Sequence, residues 1–472
     1  MRSQLLASLC GLAGLAASTA CGQTVTALIH EGSPIGSGGL TVATNGIIAC
    51  AANDAGGYIV SLNASDGLTS FWGSASGGPG AILRTEGQVG LYLQTGFETF
   101  FGFSNSGGIA YSPTLGGGED SVWLDDAPLA IADLPIPTIA GQFWSFASRP
   151  TVTSNGVPFW VGGLTATAGG ATQNRGLFRG VDATPVLKGG DPLANISELV
   201  AAGSSVQFTY KVSGLGTNWI GMVGISAATA SDRVVVVNNA VPIVNGGLLR
   251  EGVLVPVVSG GSGIEAWSNW SDFGINESGT YLACGNTNGA AAGNDFVSLN
   301  GRIILREGAT IDGLPITGAV QEADLNESGD WMVCWNVNSG GTREAIIFNG
   351  RLLIKETDPI DFDGDGAPDT GVTLVDITGI DNVHMSDRRA GGLVDIYFTG
   401  DTELGEAAFR ITVPAEEGCP ADHNGDGGVD GDDVIAFFAD WDAGVIAADF
   451  NGDGGVDGDD VIEFFARWDA GC

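Results

Sequence analysis

Hydrophobic residues fall along this chain in three different rhythms. From Leu5 to Ala17 they form one apolar run, preceded by Arg2 and followed by the small residues Ser18-Thr19-Ala20. From about residue 24 to residue 413 they come in short runs broken by Gly, Asn and Asp, which predicts many short strands joined by tight turns. Near the C-terminus the period changes. Val434, Phe437, Phe438 and Trp441 fall at i, i+3, i+4 and i+7, as do Val461, Phe464, Phe465 and Trp468, so each set marks one face of a helix.

The strand-rich stretch repeats itself. Ile275-Asn276-Glu277-Ser278-Gly279-Thr280-Tyr281-Leu282-Ala283-Cys284 returns fifty positions later as Leu325-Asn326-Glu327-Ser328-Gly329-Asp330-Trp331-Met332-Val333-Cys334. Asn300-Gly301 and Asn349-Gly350 each sit between apolar runs, as a two-residue type I′ hairpin turn requires. Weaker copies start at Asn53, Asn105 and Asn155, and degenerate ones near Ser213 and Asp387. Seven units of this length fit seven β-propeller blades of four short strands each. A second element closes most units: Leu28-Ile29-His30-Glu31-Gly32 precedes the first unit, Val186-Leu187-Lys188, Leu305-Arg306-Glu307 and Ile354-Lys355-Glu356 end later ones, and the last unit lacks it. A circular fold explains the offset, because the strand from Thr24 to Glu31 would complete the final blade and remove the exposed sheet edges.

On these motifs the body, roughly residues 24 to 413, resembles the tandem Asn-x-x-Gly-x-x-Ala-Phe repeat proteins secreted by bacteria. The resemblance implies export and a scaffold or binding role, with no assigned chemistry. The Asn and Gly of each motif also have a purely structural use, as turn formers, and the Tyr or Trp as core residues of a blade.

Charge then narrows the partners. Lys and Arg number 18 against 55 Asp and Glu, giving a net charge of −37, so a nucleic-acid binder working through a basic face is excluded. The 77 Gly fit a fold dense in turns. Sixteen of the acids and a single base, Arg467, lie in residues 415 to 472. There the sequence Asp422-His423-Asn424-Gly425-Asp426-Gly427-Gly428-Val429-Asp430-Gly431-Asp432-Asp433 places side-chain oxygen ligands at loop positions 1, 3, 5, 9 and 12, with Gly at position 6 for the sharp turn and the Gly428 carbonyl at position 7. Twenty-seven residues on, Asp449, Asn451, Asp453, Gly455, Asp457 and Asp460 repeat the pattern. Hard oxygens converging at this spacing select Ca2+, and folding of the segment is expected to depend on the ion.

A loop followed by one helix, duplicated, with Asp at position 12, resembles a type I dockerin over residues 419 to 472. The resemblance implies two bound calcium ions and docking to a cohesin-like or other cell-surface or extracellular protein. Loop positions 10 and 11, where many dockerins carry hydroxyl residues, are Gly431-Asp432 and Gly458-Asp459 here, which leaves the partner open. In the body, Asp361, Asp363, Asp365 and Asp369 occupy positions 1, 3, 5 and 9 of a third, partial calcium loop whose position 12 is Val372; an acidic turn is the alternative.

The N-terminal run is too short to span a bilayer and reads as a secretory signal peptide over residues 1–20. A lipid anchor on Cys21 is the other reading, since Ala20-Cys21 resembles the end of a lipobox. The expected organisation is signal, repeat body at 21–413, linker at 414–418 and calcium module at 419–472, with no transmembrane segment in the mature chain. In an oxidising compartment Cys419 and Cys472, which bracket the module, are the best candidates for a disulfide; Cys284 and Cys334 are either a pair or two small buried apolar residues.

Catalytic signals are weak. The three His residues, His30, His384 and His423, stand in no triad or metal pattern, and neither a Gly-x-Ser-x-Gly elbow nor a phosphate loop occurs. The expected function is therefore a secreted, calcium-binding, non-catalytic propeller for binding or display, with a glycan as a possible ligand of the body. The alternative is a dockerin-bearing enzyme of extracellular polysaccharide catabolism, a hydrolase or lyase whose paired carboxylates would hide among the acids of the body.

Overall fold

The computed structural model describes residues 25–414, apart from 37, 204–207 and 378–381, together with 421, 423, 429, 431–443, 448, 450 and 455–470. The body is a seven-bladed β-propeller, mainly β as the repeats require. Blade 1 is the meander Val42–Ala52, Tyr58–Ala64, Thr69–Ser74 and Ala81–Thr85, each strand paired antiparallel with the next. Blades 2 to 6 follow in chain order, beginning at the innermost strands Tyr92–Phe103, Phe143–Val152, Phe208–Val212, Trp267–Ile275 and Leu314–Leu325. Blade 4 departs from four regular strands: it has three, and the short segment around Arg250 bridges its outer edge at Val234.

Blade 7 is assembled from both ends of the body. Val383–Met385 and Leu374–Ile377 pair with Leu393–Thr402, which pairs with Gly405–Pro414, and the outermost place is taken by Val25–His30, paired from Val25 opposite Ile411 to His30 opposite Ala407 with a register shift between Ala27 and Ile29. The closing strand predicted from the repeat offset is thus present. The last strand runs through Pro414, one residue beyond the expected end of the body.

Second strands are buried along nearly their whole length, as in Pro158–Thr165, because both faces of a middle strand are covered by neighbouring blades. This explains why they read as continuous apolar runs rather than alternating ones. Cores lie between blades: Ile220, Met222 and Val235 of blade 4 pack with Trp267, Trp270 and Phe273 of blade 5, and Ile29 and Ala408 of blade 7 pack with Val60 and Leu62 of blade 1. The Asn300-Gly301 and Asn349-Gly350 turns have φ values of 49° and 78°, and 46° and 78°, the positive pair that a type I′ hairpin needs. Cys50, Cys284 and Cys334 are buried free thiols, so of the two readings for Cys284 and Cys334 the apolar one holds.

The C-terminal module contributes helices α1 (Gly431–Ala443) and α2 (Gly458–Ala470). Phe437 and Phe464 stack with their ring centroids 4.2 Å apart and, with Ala448, form its buried centre. Phe438, expected on the inner face, is 37% exposed. No helix among the described residues is long and apolar enough to cross a membrane.

Replacing Ile29, 3% exposed between blades 7 and 1, by Ala is expected to cost about 2–5 kcal/mol in urea unfolding, the usual range for a large buried aliphatic residue.

Candidate functional site

Each blade turns from its innermost to its second strand around one buried polar residue: Asn53, Ser104, Thr153, Ser213, Asn276, Asn326 and Ser386. Each side-chain oxygen accepts a hydrogen bond from a backbone N–H a few residues on, that of Gly57, Gly108, Val157, Asn218, Thr280, Asp330 and Asp395 respectively, at 2.6 to 3.0 Å. The weak and degenerate repeats are explained by this role. A hydroxyl can replace the Asn amide oxygen, so the matching positions in blades 2, 3 and 7 are Ser104, Thr153 and Ser386, one or two residues before the starts read from the sequence.

These seven turns form a ring around an axial channel. Asn53 Nδ2 donates to the Ser104 carbonyl, Asn105 N to Ser154, Ser154 N to Gly214, Asn218 Nδ2 to Asn276, Asn276 Nδ2 to Asn326, Asn326 Nδ2 to Ser386, and Asp387 N to Asp54, closing the circle at 3.0 Å. The cavity below has a volume of about 240 Å³ and takes lining residues from every blade, among them Phe100, Arg149, Lys211, Asp272, Glu322 and His384.

The residue after the buried polar one is acidic in four blades: Asp54, Glu277, Glu327 and Asp387. These acids crowd the channel mouth. Glu327 Oε1 accepts from the Gly214 N–H at 2.6 Å and its Oε2 from the Glu277 N–H at 2.7 Å, while Asp387 Oδ1 accepts from the Glu327 N–H at 2.7 Å. A Cβ on Gly214 would stand 2.7 Å from Asp54 Oδ2 and 3.0 Å from Glu327 Oε1. Blade 4 therefore meets blades 1 and 6 across the axis, and carboxylates bridge this end of the channel. Burial, reinforced by the charge of Glu327 and less strongly by Asp324 and Glu277, pushes the Asp54 carboxyl up to about 6 against a lowering hydrogen bond from Ser154. Burial and then the charge of Asp54 push Asp387 up to about 7. For Glu277, the Ser213 hydroxyl and the N–H groups of Leu215 and Thr217 outweigh burial and hold it below the usual range.

Deeper acids are tied to backbone. Asp272 accepts from the Ala323 N–H at 2.8 Å, Asp324 from the Met385 N–H at 3.0 Å, and both Glu322 oxygens from the Asn382 N–H, one also from Val383. Each thus caps the open inner edge of the next blade. The sequence reading missed the acids at the mouth, although an acid directly after the turn-forming polar residue in four of the seven blades was their signal.

The partial calcium loop leaves the edge of blade 7. Asp361, Asp363 and Asp365 offer carboxylate oxygens within 4.8 Å of one another, a hard-oxygen set that suits Ca2+. Asp369 is not in that group: its Oδ2 accepts from the N–H groups of Phe362 and Asp363 at 2.8 and 3.1 Å and closes the loop instead. Asp361 is 1% exposed and bridges the closing strand, donating its N–H to the Val25 carbonyl and accepting from Ala27 N–H, both at 3.0 Å.

In the C-terminal module Asp422, Asn424, Asp426, Gly428, Asp430, Asp449, Asn451, Asp453, Cys419 and Cys472 lie outside the described residues, as do the signal segment and Cys21. Asp433 and Asp460, both at loop position 12, are fully buried at the first turns of α1 and α2, and Asp460 Oδ2 accepts from the Asp457 N–H at 2.7 Å; Gly455 and Asp457 are exposed. The histidines are scattered: His30 lies in the closing strand, His384 lines the channel, and His423 packs on Phe437 and contacts Asp440 at 3.0 Å.

No protein-family model matches the chain, and no curated protein matches it. Among solved structures, a crystal structure of BBS1N in complex with ARL6DN, soaked with mercury, is 9% identical at a TM-score of 0.35, covering 79% of this chain and 93% of that one. A gluconolactonase from Xanthomonas campestris is 11% identical at 0.29, covering 69% and 93%, and AofleA from Arthrobotrys oligospora is 11% identical at 0.29, covering 82% and 94%. At such scores none assigns a ligand or a reaction.

Gly214→Ala is expected to destabilise the chain by about 1–3 kcal/mol, the usual cost of overpacking, and Asp54→Ala in the same chain is expected to return part of it. A double-mutant cycle in urea measures that coupling.

Proposed function

We propose that the protein is a secreted calcium-binding protein whose propeller serves binding or display without catalysis, and whose C-terminal module attaches it to a cohesin-like or other extracellular partner. The observation that carries this reading is the duplicated loop with a fully buried carboxylate, Asp433 or Asp460, at the same loop position of each copy, in a segment whose only Lys or Arg is Arg467. Each of these acids stands at the twelfth position of a loop whose other positions carry the hard oxygens that a calcium ion takes. A third ion fits Asp361, Asp363 and Asp365, where it would clamp the closing strand through the Asp361 backbone.

The channel supports the non-catalytic reading. Asp272, Glu322 and Asp324 are committed to backbone N–H groups, a use that leaves them poorly placed to exchange a proton with a substrate. The enzymatic alternative rests on Asp54 and Asp387, the two channel acids whose protons are held near neutrality. Screening the full chain against glycans for binding and for product release separates the readings: turnover abolished by Asp54→Asn or Asp387→Asn would establish the enzyme.

Calorimetry on the full chain is expected to show about three calcium sites, one lost in Asp361→Ala and two in Asp433→Ala combined with Asp460→Ala. Calcium at a hundred times its Kd should stabilise the part that binds it by about 2.7 kcal/mol, read as a shift in the melting curve. Helical content unchanged by chelator would overturn the calcium-built module.

A further inference from the structure

The bridged end of the channel is also the place where the ring closes on itself. The Asp387 N–H donates to the Asp54 carbonyl across the seam between blades 7 and 1, joining residues 333 positions apart, and the Glu327 N–H donates to Asp387 Oδ1 across the seam between blades 6 and 7. Asp54 Oδ2 and Glu327 Oε1 lie on either side of Gly214, 2.7 and 3.0 Å from where a Cβ would stand, and the charges of Asp54 and Glu327 act on Asp387 as those of Glu327, Asp324 and Glu277 act on Asp54, at the junction of three blades. Arg388 makes a two-point pair with Asp330 at 2.7 and 2.8 Å, Arg389 pairs with Asp395 at 2.7 Å, and Arg149 lies over the Phe100 ring at 4.5 Å. Lys211 and His384 line the channel wall on blades 4 and 7.

We propose that this cluster is a proton latch: a solvent proton held between the Asp54 and Asp387 carboxyls keeps the channel mouth bridged and blades 7 and 1 joined, and its loss as the pH rises to neutrality loosens that seam. With the proton bound, one carboxyl is neutral and the repulsion within the cluster is reduced. Once it leaves, like charges face one another in a buried, weakly screened space, and the inter-blade hydrogen bonds must hold against their repulsion.

The sign follows from the direction of the shifts. Asp54 and Asp387 hold their protons more tightly in the folded chain than the ordinary carboxyl value of 3.8, at about 6 and about 7. The folded state therefore binds more protons than the unfolded one between about pH 4 and pH 7, and the contribution to stability declines as pH rises through that window and is flat above it.

The chain carries its own reporter. Cys50 is a buried thiol on the innermost strand of blade 1, with its Sγ 3.1 Å from the Asn382 carbonyl across the same seam, while Cys284 and Cys334 are buried thiols in blades 5 and 6. The full chain, at fixed calcium, is treated with methyl methanethiosulfonate from pH 5.5 to 8.5, and the modification rate of each cysteine is read by peptide mass mapping. Dividing the Cys50 rate by the Cys284 and Cys334 rates removes the reagent's own pH dependence.

The ratio is expected to rise on the order of tenfold over this range, the equivalent of about one pKa unit of linkage. It should stay flat in D54N/D387N, where amides stand in for the protonated carboxyls and can still accept the Glu327 N–H. Asp295→Asn is the control: it removes a carboxyl pushed up to about 6 in blade 5 by burial and Glu307, and should leave the rise intact. If the double variant does not fold, each single variant is read the same way and is expected to halve the response on a logarithmic scale. A flat ratio in the unaltered chain, or an equal rise in chains with and without the Asp54 and Asp387 carboxyls, would overturn the latch.

Discussion

A sheet closed into a ring of blades leaves all or most of one edge of each innermost strand without a sheet partner, facing the axis. Those N–H and C=O groups are largely sealed from bulk water, and a buried donor left without an acceptor costs about 1–3 kcal/mol. Meeting them is the constraint on which the rest of the structure depends. It is met by one device repeated seven times at the turns, where a buried Asn, Ser or Thr folds back on its own strand and, in several blades, also reaches its neighbour, and by a second device lower down, where carboxylates such as Asp272, Glu322 and Asp324 accept from the next blade. The hydrophobic stacks between blades supply most of the driving force for burial, but they are not directional. The hydrogen-bonded ring fixes how far each blade is rotated against the next.

This constraint gives the acidic composition of the body a structural meaning. A carboxylate accepts more than one hydrogen bond and donates none when ionised, so it suits an edge rich in N–H groups. Glu327 and Glu277 show the use most fully, each serving backbone groups of a different blade. Concentrating such groups at a narrow mouth raises their mutual repulsion, and the shifts at Asp54 and Asp387 follow from that crowding together with burial. Where a counter-charge is supplied the result is reversed. Asp330 is as buried as any of them, and burial alone would raise its carboxyl, yet Arg388, Asn349 and Asn326 hold it below the usual carboxylate range.

Much of the fold could be read from the chain because its determinants are local. Asn300-Gly301 and Asn349-Gly350 name their turn type by residue identity alone, and the missing closing element of the last repeat pointed to the strand Val25–His30 without any contact information. Ser104, Thr153 and Ser386 were harder to align because what the site requires is one acceptor oxygen, which three residue types can supply. The channel mouth was not legible for a different reason. Asp54 and Glu327 are 273 positions apart and come together beside Gly214 only through ring closure, so nothing in their neighbourhoods distinguishes them from ordinary turn acids. In the loop at Asp361 the spacing named four acids alike, but it could not show that the carboxylate oxygens of Asp361, Asp363 and Asp365 gather within 4.8 Å while Asp369 Oδ2 accepts from the loop's own N–H groups.

Blade 7 is where these threads converge. The other blades are continuous meanders, held together by chain connectivity as well as by hydrogen bonds. Blade 7 alone depends on a strand from the far end of the body, and its outer edge is covered by Asp361 while its inner turn contributes Asp387 to the mouth. A strand with no covalent link to its sheet partner is free to separate once its pairing weakens, so the closing strand is the natural first point of opening. Two carboxylate clusters, the oxygen set at Asp361 and the acids at Asp54 and Asp387, lie at the outer and inner margins of this one blade, the second shared with blade 1. Cations at the outer margin and protons at the inner one would act on the same equilibrium, the joining of the two ends of the ring, from opposite sides of the sheet.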